Sequence, residues 1–254
     1  MTTFFSVAYY TFIENIRKKI FYGLILFGGV MMGASVLLSV LGGQQTLRIL
    51  LDLGSSAIEF FALLGVGFSA VTLILEEMES KTIYLILTRP VSRFHYLTGR
   101  YAGLLMALYA GMLAMALMHV SLLLFNGWVF HARYVLSLFL SAEKILVVGS
   151  VALFFSLFSS SAVSSLSFTV FFWILGHFSG EINYLGTQIP SLAGKLAIGI
   201  FYYVIPNMQY FNLRDFWDVP QVMGNWVWLS FAYGCAYSVV FILLTVMLFK
   251  RKEF

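Results

Sequence analysis

Four long apolar runs, Ile20 to Leu41, Ala57 to Leu75, Tyr101 to Phe125 and Val227 to Phe249, dominate the chain and leave it few ways to fold. Each holds about 20 residues, and at ~1.5 Å rise per residue a helix of that length covers a hydrocarbon core ~30 Å thick. None contains an internal Lys, Arg or Asp, and only Glu59 intrudes, near one end of its run. Of 254 residues 61% are hydrophobic and 10% charged, against about 45–50% apolar in soluble domains, so the chain cannot furnish a polar surface. Lipid or protein must cover what remains.

Two further runs are interrupted or short. Val135 to Phe158 carries Glu143 and Lys144, which are expected near an interface, with Val135 to Ser141 as a shallow or re-entrant piece and the span proper beginning at Ile145. Ala162 to Phe178 opens in a serine-rich stretch. Leu192 to Ile205 holds Lys195, ends at Pro206 and is too short to cross, so it is expected to lie along an interface.

Six spans put Arg17, Lys18, Lys19, Lys81, Arg89, Arg93, Arg100, Lys250, Arg251 and Lys252 on one side. Lysine and arginine accumulate on the cytoplasmic side of a membrane, so that side, with both termini, is expected to be cytoplasmic. Trp128, Trp217, Trp226 and Trp228 fall in the opposite segments, where amphipathic rings suit an interface. The formal charge of +4 reflects this orientation, with no basic domain for nucleic acid. The single Cys235 excludes an intrachain disulfide and a cysteine-based metal site.

Ahead of the first run, Phe5, Ala8, Tyr9, Phe12, Ile13 and Ile16 recur at helical spacing, with Ser6, Thr11, Glu14, Asn15 and Arg17 on the other face. This predicts an amphipathic helix over 1–19 lying flat on the membrane. The fold expected is therefore all-α and polytopic: the interfacial helix, then a six-span domain over 20–254. Residues 76–100 form a cytoplasmic segment, and 179–225 an extracytoplasmic one with interfacial helices.

Residues 76–100, EEMESKTIYLILTRPVSRFHYLTGR, carry the most information. Ile83, Ile86 and Leu87 stand at i, i+3 and i+4, the approach is charged, and Pro90 stops a helix near Thr88. Ser92 is placed to cap the helix that follows. Pattern alone leaves two readings open: a lever gripped by a partner, or a loop resting on lipid headgroups.

The run Glu77-Met78-Glu79-Ser80-Lys81-Thr82-Ile83, with Leu85, Leu87, Arg89-Pro90-Val91-Ser92-Arg93 and Gly99-Arg100, resembles the signature of ABC type 2 exporter permeases. Ser80-Lys81 departs from it where many relatives carry a glycine before the threonine. Asn207 to Asp215, NMQYFNLRD, is similar to the branch associated with multicopper enzyme maturation. The resemblance implies a transmembrane subunit of an ATP-binding cassette exporter in the cell inner membrane, paired with a second, identical or homologous permease subunit. It implies a coupling helix docked on a separate ATPase subunit through Glu79, Lys81, Thr82, Ile83, Leu85, Ile86, Leu87, Arg89 and Pro90. ATP and Mg are expected in that partner, since no GxxxxGK[ST] phosphate loop occurs here. No catalytic, cofactor-binding or metal-binding residue is assigned. A non-transporting scaffold subunit and an ion-driven secondary transporter are the alternatives.

The remaining polar groups have plainer readings. Neighbours on a helix point about 100° apart, so Glu143 and Lys144 need separate partners. His95, His119, His131 and His177 lack metal-ligand spacing, and Asp215 and Asp218 are read as a cap or local ion pair beside Arg214. The GxxxG pairs Gly29/Gly33 and Gly176/Gly180 are read as packing within the chain. Ser159, Ser160, Ser161, Ser164 and Ser165 are read as turn chemistry.

Overall fold

The computed structural model describes residues 2–40, 42–80, 92–159, 161–212 and 225–251. Every regular element among them is helical: α1 (Thr2–Arg17), α2 (Lys19–Val40), α3 (Thr46–Glu79), α4 (Arg93–Phe125), α5 (Ala132–Phe158), α6 (Ala162–His177), α7 (Ser179–Gln188), α8 (Leu192–Val204) and α9 (Asn225–Arg251). Short 3₁₀ turns cover Gly43–Gln45 and Met208–Phe211. Five helices, α2, α3, α4, α5 and α9, are long and apolar enough to cross a membrane. α6 and α7 meet at a 68° bend and make a sixth if counted as one broken span. The chain is a multi-pass helical membrane protein.

α3 and α5 are the most enclosed of these helices and α2 and α9 the least. α5 packs against α3, α6 and α9, while α4 packs against α1, α2 and α3. Ile58, Val66, Ile74, Leu104, Ile145 and Leu153 are buried at the common centre. The outward sides of α2 and α9 carry Leu26, Phe27, Leu37, Leu229, Val239 and Met247, exposed large apolar residues of the kind that hydrocarbon solvates.

Two elements differ from the sequence reading. α3 begins at Thr46, eleven residues before the apolar run, so Glu59 lies well inside a 34-residue helix. The extra turns are held by Leu50, buried against Leu123, Trp128 and Tyr134, and Arg48 and Asp52 share one face of them. Trp128 is therefore a core side chain; Trp228 is exposed, and Trp217 lies outside the described residues. α5 runs unbroken through Glu143 and Lys144, with no re-entrant piece before Ile145. α8 matches the short helix expected over Leu192 to Ile205; it packs on α7 and buries none of its residues.

α1 is helical as the spacing predicts, but the face it turns to the protein is the small and polar one. Ala8, Thr11 and Asn15 are buried, whereas Phe5, Tyr9 and Tyr10 are exposed. The reason lies in α4, where Gly99 and Gly103 open a groove that admits the α1 backbone. A Cβ at Gly99 would stand 3.1 Å from the Phe4 carbonyl oxygen, and one at Gly103 would overlap the Ala8 carbonyl. Small residues at i and i+4 permit this approach between helices. Thr11 Oγ1 donates to Val7 O at 2.9 Å and Asn15 Nδ2 to Thr11 O at 2.9 Å, so the buried polar atoms are satisfied within α1.

The sequence singled out two other GxxxG pairs, and only one member of each packs closely. Gly29 faces Met118 while Gly33 faces open space, and Gly176 abuts Pro206 and Met208 while Gly180 stands free of close backbone contact. Gly103→Leu is expected to lift α1 off α4, and tryptic cleavage at Arg17, Lys18 and Lys19 then becomes faster than in the wild type. An unchanged cleavage rate contradicts this packing.

Candidate functional site

At the end of the bundle that carries α1, the two helices flanking residues 81–91 are tied to each other and to three further elements. Of the coupling residues expected from the sequence, Glu79 is the last residue of α3. Lys81, Thr82, Ile83, Leu85, Ile86, Leu87, Arg89 and Pro90 lie outside the described residues, as does the expected helix between them. The structure describes the two stems from which that segment emerges.

The descending stem ends at Ser80, whose backbone N–H and hydroxyl both bond Glu76 O, closing the last turn of α3. The ascending stem begins at Ser92, in extended conformation, whose Oγ accepts from His95 N at 3.2 Å and so caps α4 as the sequence suggested. Arg100 joins the stems: its guanidinium pairs with Glu77 of α3 and, at 2.5 Å, with Glu14 of α1. It also donates to Thr11 Oγ1 at 3.2 Å. The Tyr96 hydroxyl donates to the second Glu77 oxygen. Lys18, between α1 and α2, reaches Glu14 at 3.5 Å and Glu76 at 3.4 Å.

A second attachment comes from Arg93 in the first turn of α4. Its Nη1 donates to Phe249 O at 2.8 Å and Lys250 O at 3.2 Å, two carbonyls in the last described turn of α9. Its guanidinium carbon also lies 5.8 Å from the centre of the Phe249 ring. The first helix and the end of the last described one thus share one end of the bundle.

These pairs are unequal in strength. The Lys18 and Glu76 side chains are 30% and 60% exposed, and an ion pair that solvent reaches contributes about 0–1 kcal/mol. Arg100 and Glu77 are only 12% and 10% exposed, so removing one leaves the other charge buried. Burial alone raises the Glu14 carboxyl, but the hydrogen bond and charge of Arg100, with Lys18, outweigh it and hold the group below its ordinary 4.5. A depressed carboxylate stabilises the fold above its unfolded pKa and ceases to do so as pH falls through the folded one. Amide exchange in α1, corrected for its intrinsic pH dependence, should therefore lose protection below pH 4.5, and Glu14→Gln should flatten that dependence. Protection that falls equally in both proteins contradicts the assignment.

The other polar candidates resolve differently. Glu143 and Lys144 lie inside the bundle: both are buried, and Lys144 is 2% exposed. Lys144 Nζ binds Glu59 Oε1 of α3 at 2.5 Å, with Ser141 Oγ donating to the other Glu59 oxygen at 3.3 Å. Glu143 points around the helix toward Gly234 and Phe211, and its Oε2 is buried with no hydrogen-bond partner. The two neighbours do take separate surroundings, as helix geometry requires. The partner of Lys144 is 85 positions away in sequence, so no local pattern reveals it.

His119 bridges Tyr134 Oη at 2.8 Å and Leu50 O at 3.1 Å, a core role on the face that closes over α3. Ser161 caps α6 by accepting from Ser164 N at 3.2 Å, and Ser165 Oγ donates to Phe155 O at 3.0 Å, which are turn and packing roles. Asp215 and Asp218 lie outside the described residues. Among the described residues no three His, Cys, Asp or Glu side chains converge as metal ligands would.

The charged array at the α1 end pairs charge with charge and caps with helix ends, and what such an array does is fix distances between helices. Sequence reading found Ser92 and Arg100 within the stems but not the contacts of Glu14, Lys18 and Glu77. The Gly99/Gly103 spacing was the one local signal that α1 docks here. No family model matches the chain, and no curated protein matches it either.

Proposed function

We propose that the chain is the transmembrane subunit of an ATP-binding cassette exporter, embedded in the cytoplasmic membrane with both termini inside. A second permease subunit would complete the export path. A separate ATPase, holding ATP and Mg, would grip residues 79–90 through the apolar Ile83, Leu85, Ile86 and Leu87 and the polar Glu79, Lys81 and Arg89.

The observation that supports this reading is the bracing of the two stems. A push on a segment held between isolated helices would only bend them. Here the stems are bound through Arg100 to α1, through Lys18 to the start of α2 and through Arg93 to the end of α9. Displacement of the segment is then shared by α1, α2, α3, α4 and α9 at once. Motion of this kind does work only if nucleotide or cargo binds the two arrangements with different affinity.

One observation favours an ion-driven secondary transporter: the buried Glu59–Lys144 pair, since intramembrane charges commonly mark ion pathways. Such carriers build their sites on helices interrupted at mid-membrane, and α3 and α5, which carry the pair, run unbroken. The exporter reading is preferred. Affinity capture from membranes tests it: the wild-type chain should retain an ATPase, and the double substitution Ile83→Asp/Leu87→Asp should lose it while the bundle stays folded. Equal retention by both proteins, or none by the wild type, overturns the proposal.

A further inference from the structure

Where α6 leans on α3, the two helices leave a slot of about 150 Å³ between them, floored by Val148 of α5. Residues 60–67 of α3 form one wall and residues 166–173 of α6 the other. Gly67 sets the width at one end: a Cβ there would stand 3.3 Å from Leu166 Cδ1. The helices run in opposite directions, so Phe60 and Trp173 stand together at the other end. Seven residues of helix rise about 10 Å, which makes the slot long and narrow. Phe60 and Val170 on its walls are 50% and 40% exposed, so it opens on the surface that hydrocarbon solvates.

Only two polar side chains reach the slot. Thr169 Oγ1 spends its hydrogen on Ser165 O at 2.8 Å. Trp173 Nε1 is buried with no hydrogen-bond partner among the described residues. An indole N–H is a donor only, and when buried it ordinarily has an acceptor. An apolar cavity of this size stays dry, so water does not supply one.

We propose that the slot seats one acyl chain of an ester lipid, with the ester carbonyl accepting from Trp173 Nε1. The lining decides the class. A charged or multiply polar ligand would give up its hydration and regain a single hydrogen bond. A leucine or phenylalanine from a second copy of the chain would fill the space but bring no acceptor. A run of methylenes ending in one neutral carbonyl matches both the walls and the donor. Depth agrees with this. One turn beyond Trp173, His177 lines a polar cavity with Arg48 and Asp52 at the end of the bundle opposite α1, and those two side chains are 64% and 48% exposed. Trp173 therefore sits about 5 Å inside the polar level, where indole rings are favoured and where ester groups join headgroup to hydrocarbon. From there the slot runs inward toward Gly67, as a lipid tail does. The inference requires a membrane around the bundle and no motor.

The test takes the purified full chain from vesicles of equimolar diacyl and dialkyl phosphatidylcholine of equal chain length and reads retained lipid by native mass spectrometry. The dialkyl lipid keeps headgroup and tails and lacks the ester carbonyls. One phospholipid per chain should be retained, the diacyl form about fivefold over the dialkyl, which is the scale of one neutral hydrogen bond. Trp173→Phe removes the donor and should bring that ratio to one. Val170→Trp, at a partly exposed wall position, fills the slot and should lower retention about tenfold, the worth of two buried methylenes. The wild-type ratio alone decides should either variant fail to fold. No retained lipid, a wild-type ratio of one, a preference that survives Trp173→Phe, or retention unchanged by Val170→Trp overturns the proposal. A lipid-free dimer also overturns it and assigns the slot to a second copy.

Discussion

Lys144→Met should be the most damaging single substitution in the bundle, lowering stability by about 3–5 kcal/mol, the usual cost of leaving one partner of a buried ion pair without its counter-charge. The Glu59 side chain is only 9% exposed, so the substitution leaves its carboxylate largely desolvated without its counter-charge. The double substitution Glu59→Gln/Lys144→Met should recover most of the loss, since two neutral side chains of similar size need no counter-charge. Retention of the monodisperse peak after heating in detergent measures both. A single variant as stable as the wild type, or a double variant no better than the single one, contradicts the buried-pair assignment.

Arg100→Leu should give the second largest effect and a different phenotype. It removes the guanidinium shared by Glu14 and Glu77, and on the same buried-pair scale weakens the docking of α1 and the α3 stem by about 3 kcal/mol. Residues 79–90 are untouched, so under the exporter reading the ATPase still attaches, but its hydrolysis no longer responds to cargo. Arg100→Lys should restore the response only in part, because an ammonium cannot hold both carboxylates in the planar, forked geometry of a guanidinium. Loss of attachment together with loss of response would assign Arg100 to the docking surface instead of to transmission.

The span pattern was legible because continuous apolar length is a property of the local sequence: α2, α4 and α9 stand where their runs predict. The start of α3 was not, because Arg48 and Asp52 break the apolar run while the helix continues, their side chains turned to the polar cavity and Leu50 to the core. That Glu143 and Lys144 are buried in the bundle was not legible either, because the partner of Lys144, Glu59, comes from another helix. α1 was read as an amphipathic helix lying flat on the membrane, and its Phe5 and Tyr9 are exposed. What that reading did not include is the Gly99/Gly103 groove, which admits the small and polar face of α1 against α4. Of the coupling segment, sequence identified the stems and their cap, while the ion pairs that brace them join Glu14, Lys18, Glu76, Glu77 and Arg100 across 86 positions.

The central claim is that residues 79–90 are the handle of a nucleotide-driven motor, and a photo-crosslinker placed at that handle tests it most directly. With p-benzoylphenylalanine in place of Ile86, irradiation of intact cells should join the chain to a soluble polypeptide bearing a phosphate-binding GxxxxGK[ST] loop, identified by mass spectrometry. The same probe at exposed Trp228, at the far end of the bundle, should yield no such adduct. Adducts from position 86 with lipid alone, or with a protein that lacks the nucleotide loop, would contradict the account.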